Sequence, residues 1–126
     1  MSTLLAVGAA AGVAAVAAPA GTTAPGAAHC PDALLPLGAN SIGPAVAAAL
    51  RADPAANKPQ VTGAMLAPAD VQRGPQAKAQ CGRTVWQRTV VVYVTDRALL
   101  PAQSLSQRVL FVGRTADGYR IWQRVH

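Results

Sequence analysis

The strongest structural signal in this chain is the stretch TVWQRTVVVYVT at residues 84–95. It is rich in Val, Thr, Trp and Tyr, which are enriched in strands, so we expect one long strand over 84–95. Positions 90–94 are apolar without alternation. A strand with one solvated face would alternate, so this strand is expected to be central and covered on both faces, or to pair with a second copy of the chain.

Two further strands are predicted downstream. Residues 105–115 form the first of them, after a turn over 96–103 that contains Pro101. The tripeptide at 116–118, Ala-Asp-Gly, is typical of a hairpin turn, and residues 119–125 return as a strand. Because a tight hairpin joins these two strands, we expect them to be antiparallel neighbours.

Upstream, the pattern predicts one short helix and one strand. The helix covers about 44–52, with Pro44 suited to its first turn and an Asp-Pro step after its end. Residues 60–66 form the strand. The stretch 67–80 contains two prolines and a glycine, which favour a loop or a broken edge strand.

These elements predict an α+β fold. One short N-terminal helix is expected to pack across one face of a three- to four-stranded antiparallel meander. The chain is long enough for one modest core, so residues 30–126 are predicted to form a single domain.

The N-terminus resembles an export signal. Residues 4–18 are an uncharged run of Leu, Val, Ala and Gly, broken by Pro19. Spanning a bilayer takes roughly twenty apolar residues, so a cleaved signal over 1–20 is favoured over a stable membrane span. Cleavage is expected near Ala20, or alternatively near Ala28, and residues 21–29 form a flexible lead-in. Because no Lys or Arg precedes Leu4, an uncleaved anchor or an Ala-rich tail stays as an alternative.

The chain has two cysteines, Cys30 and Cys81. In an exported protein they most simply form one disulfide, which supports a secreted or extracytoplasmic location. Closing a loop of about fifty residues is worth roughly 4 kcal/mol in the chain-entropy model. The bond is expected to join the start of the folded region to the start of the strand-rich half.

The charge balance is basic, with a formal net charge of +6 and no glutamate. Such a balance favours contact with anionic surfaces such as cell-wall polymers, lipid headgroups or nucleic acid. The alternative interpretation is that the charge only keeps an exported protein soluble.

A repeated tripeptide supplies the candidate ligand-binding residues. Trp-Gln-Arg occurs at 86–88 and again at 122–124. On strands, residues two apart share a face, so the two Trp could lie beside Arg side chains and stack on rings while pairing with anions. The predicted set is Trp86, Arg88, Arg120, Trp122 and Arg124. In the alternative, both Trp rings fill the core beneath the helix.

Several short runs occur in the second half of the chain: Ala67-Pro68, Arg73-Gly74, Cys81-Gly82, Val85-Trp86, Arg88-Thr89, SLSQRV at 104–109, FVG at 111–113 and DGYRIW at 117–122. Over about 67–126 they resemble a group of small exported actinobacterial proteins. The resemblance implies an exported compartment and a common fold, and it transfers no catalytic residue. The element order also resembles that of cystatin-like domains, which concerns fold and not function.

No catalytic set is evident. The only His are His29 and His126, the five Asp are distant from one another in sequence, and neither phosphate-loop nor zinc spacing occurs. We therefore predict no catalytic residue, metal or cofactor. The favoured function is a secreted binding module for an anionic cell-envelope polymer or a partner protein, without specific nucleic-acid binding. A structural subunit that forms a homodimer through residues near 90–94, or a small hydrolase, are the alternatives.

Overall fold

The computed structural model describes residues 29–53, 59–99 and 107–126. The predicted signal peptide at 1–20 and its alternative cleavage point near Ala28 lie outside these residues. Within the described ranges, no helix has the length and apolar character that crossing a bilayer requires.

The described residues form two helices and four strands. In chain order they are α1 (Ile42–Ala52), β1 (Pro59–Leu66), α2 (Gly74–Gln87), β2 (Thr89–Asp96), β3 (Gln107–Thr115) and β4 (Gly118–Val125). The strands form one sheet in the order β1-β2-β3-β4, and each is antiparallel to its neighbours. The predicted α+β fold with an antiparallel meander is confirmed.

The centre of the sheet is covered on both faces. On one face, Val90, Val92 and Val94 join a core cluster with α1. On the other face, Val91 and Tyr93 join a second cluster with α2. The four valines are at most 1% exposed within a single chain. Strand β2 is therefore central and apolar on both faces, as expected, and its composition is explained without a second copy.

The second helix corrects the sequence-based prediction. Residues 84–87, predicted as the start of a long strand, belong to α2, and β2 begins only at Thr89. The loop predicted over 67–80 holds a short 3-10 turn (Ala67–Ala69) and the first half of α2. The helix buries Gly74, Ala77 and Val85 on one side, and this tertiary burial outweighs the strand propensity of the β-branched residues near its end.

The residues that suggested a loop have local roles inside this helix. Pro75 occupies its first turn, where a missing N–H costs nothing. Gly82 has φ of +89° and kinks the helix, a conformation that glycine adopts without strain. Breaker residues at a helix start and at a kink thus resemble those of a loop.

The predicted disulfide between Cys30 and Cys81 is present, with the two Cα atoms 5.3 Å apart. Cys81 lies inside α2, the helix that leads directly into β2. The bond ties the N-terminal segment onto this helix. Beyond it, the N–H of Leu35 donates to the carbonyl of Arg114 at 2.7 Å, so the same segment also reaches β3.

Candidate functional site

The predicted site residues near α2 do not share a strand face. Trp86 lies in α2, is half-buried, and has the Nζ of Lys78 at 4.7 Å from its ring centroid. Arg88 follows the helix, and its Nη1 donates to the carbonyl of Leu34 at 2.6 Å. Trp86 and Arg88 therefore have different surroundings.

The predicted residues on β4 divide between the two faces of the sheet. Trp122 packs with the α2-side cluster, 5.2 Å from the ring of Phe111, and its Nε1 donates to Thr89 Oγ1 at 3.2 Å. Arg124 is paired with Leu110, a member of the α1-side cluster, and its Nε lies 3.9 Å from Asp53 Oδ1. Arg120 is exposed and paired with Gly113. The fold thus brings the two Trp to one cluster and places Arg124 on the other face.

A hydrogen-bonded pair that sequence reasoning missed joins the segment before α2 to the sheet. Asp70 is 5% exposed, and its Oδ1 accepts the backbone N–H groups of Gln72 (2.9 Å) and Arg73 (3.0 Å). The hydroxyl of Tyr93, on β2, donates to Asp70 Oδ2 at 2.5 Å. An Asp that accepts from residues two and three positions later is typical of a turn leading into a helix. The local sequence thus indicates the turn, but it does not indicate the contact with Tyr93.

Near neutral pH, Asp70 and Tyr93 each keep a single protonation state. Burial by itself would raise the pKa of Asp70, but the hydrogen bonds from Tyr93, Arg73 and Gln72, together with the charge of Arg73, hold that pKa below its usual value. Burial, with the hydrogen bond to Asp70 and its negative charge, raises the pKa of Tyr93 to about 12. Asp70 is therefore ionised and Tyr93 protonated, so the pair orients groups and does not exchange protons near neutrality.

A polar cleft of about 440 Å³ opens where β2 ends and β3 begins. Arg73 and His126 line it together with neutral polar residues, whereas the side chain of Arg108 is only 1% exposed and pairs with Asp53 on the α1 side of the sheet. Its described lining is Thr62, Gln72, Arg73, Tyr93, Val94, Thr95, Gln107, Arg108, Val109 and His126. That described lining contains no Asp.

Both arginines of the polar cleft are held in place. Arg73 Nη1 donates to Gln76 Oε1 at 3.1 Å. Arg108 is 2% exposed, and its Nε donates to Asp53 Oδ2 at 2.9 Å. Asp53 follows the end of α1, so this buried ion pair joins that helix to β3. Arg73, which is only half-buried, loses little freedom when it binds a ligand because its hydrogen bond to Gln76 already orients it.

Two smaller depressions continue from the polar cleft along the segment 67–73. The first, here the central groove, has a volume of about 390 Å³ and shares Thr62, Gln72 and Tyr93 with the polar cleft. The second, here the Trp pocket, has a volume of about 320 Å³ and shares Asp70 and Val71 with the central groove. The three depressions are contiguous around the Asp70–Tyr93 pair. The rest of the Trp pocket is lined by Ala67, Pro68, Pro75, Lys78 and Trp86.

Among the described residues, no group of three or more His, Cys, Asp or Glu is placed to hold a metal ion. Comparison of the chain with models of protein families, with curated proteins and with solved structures found no match. The geometry of this site is therefore the basis for assigning a function.

Proposed function

We propose that this protein is a secreted binding module for an anionic polymer of the cell envelope, which it contacts at the polar cleft. One observation carries the proposal: the half-buried Arg73 and the exposed His126 line a cleft with no Asp in its described lining. Guanidinium groups bind carboxylates and phosphates through charge-assisted, often bidentate hydrogen bonds. The neutral donors around them supply further hydrogen bonds to such a ligand.

Charge over the whole chain supports the same ligand class. The net charge of +6 attracts a polyanion at long range and raises its local concentration. The carboxylate that neutralises Arg108 belongs to Asp53, whose side chain is fully buried and does not line the cleft. Because the side chain of Arg108 is itself only 1% exposed, Arg73 is the arginine of the lining that an anion in the cleft can meet.

The disulfide is compatible with an extracytoplasmic location, because such bonds persist in oxidising compartments. Cleavage of a signal peptide near Ala20 stays a prediction. The structure gives less support to the two alternative functions, a homodimeric structural subunit and a small hydrolase. The apolar faces of β2 are covered by the chain's own helices, and neither Asp70 nor Tyr93 titrates near neutral pH.

The test is a salt-dependent binding measurement on the disulfide-intact protein, with inorganic polyphosphate as the probe. We expect the logarithm of the affinity to fall linearly with the logarithm of the salt concentration. Because Arg73→Gln removes one charged contact, it should reduce the magnitude of this slope by about one. Arg83→Gln is the matched control, because Arg83 is an exposed arginine of α2 that does not line the cleft. Equal weakening by the two variants, or binding that does not depend on salt, would contradict the proposal.

A further inference from the structure

The polar cleft continues through the central groove into the Trp pocket, whose wall is largely apolar. A polymer that occupies all three depressions needs apolar surface as well as negative charge. We infer that the anionic polymer is an acidic polysaccharide, whose carboxylates lie at Arg73 and whose sugar rings lie in the central groove and the Trp pocket. This inference rests on the proposed function and adds the class of polymer.

The cationic and aromatic parts of the site are adjacent. Gly74 follows Arg73 directly, and a Cβ placed on Gly74 would lie 3.5 Å from the Nε1 of Trp86. The same Cβ would overlap the carbonyl oxygen of Ala67, so only glycine allows this approach of α2 to the 3-10 turn. The close packing holds the indole of Trp86 against the start of α2, one residue after Arg73.

The wall of the Trp pocket is apolar where a sugar ring needs it. Pro68, Val71 and Pro75 line it beside Trp86. Val71 is 87% exposed, so its side chain contributes almost nothing to the core. It stands where the central groove and the Trp pocket meet. Sugar rings have apolar C–H faces that can cover such surface, whereas a polyphosphate chain has none.

Lys78 adds a cation to the Trp pocket. Its ammonium lies 4.7 Å from the centroid of the Trp86 ring. A carboxylate on a sugar that lies in the pocket can pair with this ammonium. The Trp pocket therefore offers an acidic sugar a second charged contact besides Arg73.

Asp70 favours a ligand with hydroxyl groups. It lines both the central groove and the Trp pocket, and it is ionised at neutral pH. A carboxylate offers about four acceptor positions, of which Gln72, Arg73 and Tyr93 occupy three. The remaining position can accept a hydrogen bond from a sugar hydroxyl. A polyphosphate chain has no alcohol hydroxyl that could donate a hydrogen bond to this position.

The experiment measures the affinity of the disulfide-intact protein for four probes at matched charge concentration: polygalacturonate, inorganic polyphosphate, oligothymidylate and uncharged dextran. Val71→Ser is the informative variant, because the residue is exposed and its loss leaves the core intact. Ile42→Ser is the matched control, an exposed apolar residue at the start of α1 and outside the three depressions. Calorimetry at two salt concentrations gives affinity and salt slope together.

We expect polygalacturonate to bind more tightly than polyphosphate, and dextran to bind weakly. Val71→Ser should weaken polygalacturonate binding by about three- to tenfold, the range for burying one small apolar group, and leave polyphosphate unchanged. Ile42→Ser should change neither.

Three outcomes overturn the inference in distinguishable ways. Equal binding of polygalacturonate and polyphosphate, with Val71→Ser changing neither, removes the polysaccharide and leaves the polyanion module standing. Tighter binding of oligothymidylate than of polygalacturonate replaces the sugar acid by a nucleic acid. Failure of all three polyanions to bind at low salt removes the proposed function and this inference together.

Discussion

The two faces of the sheet are closed by different means. On one face, the regular helix α1 packs small residues, Ala45 and Ala49, directly onto the valines of β2. On the other face, the kinked helix α2 leaves Trp86, Tyr93 and Trp122 only partly buried. Each of the three depressions is lined by residues of the segment 67–73, which leads into α2. The α1 face therefore serves stability, and the α2 face combines stability with a surface that can bind.

The largest effect is expected from the buried ion pair that closes the end of the α1 face. Asp53→Asn removes one charged partner of the buried Arg108 guanidinium, which should lower the free energy of unfolding by about 3 kcal/mol. Urea unfolding followed by circular dichroism measures the change.

Arg124→Gln is the control for that prediction, because Arg124 is 43% exposed and lies 3.9 Å from the same carboxylate. Its loss should cost less than about 1 kcal/mol. If Asp53→Asn costs no more than Arg124→Gln, the α1 face does not depend on this ion pair.

The disulfide should matter mainly to the α2 face. Replacing both cysteines by serine should cost about 2–4 kcal/mol, since the bond restricts the unfolded chain. Because Cys81 lies inside α2, native-state hydrogen exchange should accelerate more over 74–87 than over 42–52. Equal acceleration in both helices would show that the two faces open as one unit.

A matched pair of glycine substitutions compares the packing of the two helices. Gly74→Ala forces a methyl group against the carbonyl oxygen of Ala67, with an expected cost of about 1–3 kcal/mol. Gly43→Ala in α1 meets no atom within 4 Å, and alanine is the better helix former, so it should stabilise by up to about 1 kcal/mol. Thermal unfolding measures both. A neutral Gly74→Ala would mean that α2 can move away from the segment before it.

The smallest expected effect concerns the Asp70–Tyr93 pair and its response to pH. The raised pKa of Tyr93, about 12, means that its contribution is complete below about pH 10 and is lost as the pH rises toward 12. The lowered pKa of Asp70 gives a contribution that is present above about pH 4 and lost in more acidic solution.

Tyr93→Phe should cost about 1.5 kcal/mol near neutrality and flatten both limbs of the profile. Unfolding measured from pH 3 to pH 12 checks this. If the free energy of unfolding of Tyr93→Phe depends on pH as that of the unsubstituted protein does, the pair does not stabilise the α2 face.

The ends of the last three strands and the position of α1 were predictable because their signals are local, whereas the start of β2 was not. The structure begins α1 at Ile42 against the predicted Pro44, and the second, third and fourth strands of the sheet each end within two residues of a predicted boundary. The pairing of Cys30 with Cys81 followed from there being only two cysteines. The Asp70–Tyr93 contact has no such signal, because it joins residues 23 positions apart on different elements.

The sequence by itself determined an antiparallel α+β sheet with a central strand that must be covered twice, since an unbroken apolar run excludes a solvated face. Only the tertiary structure decided what provides the second cover. Gly74, Pro75 and Gly82 weaken any local helix signal, and Thr84 to Trp86 favour a strand. Residues 74–87 are helical because the burial of Ala77 in the α2-side cluster and of Val85 outweighs those local preferences. The same docking brings Trp86 of α2 against the segment 67–73 and so creates the Trp pocket, which no pattern within a single element could indicate.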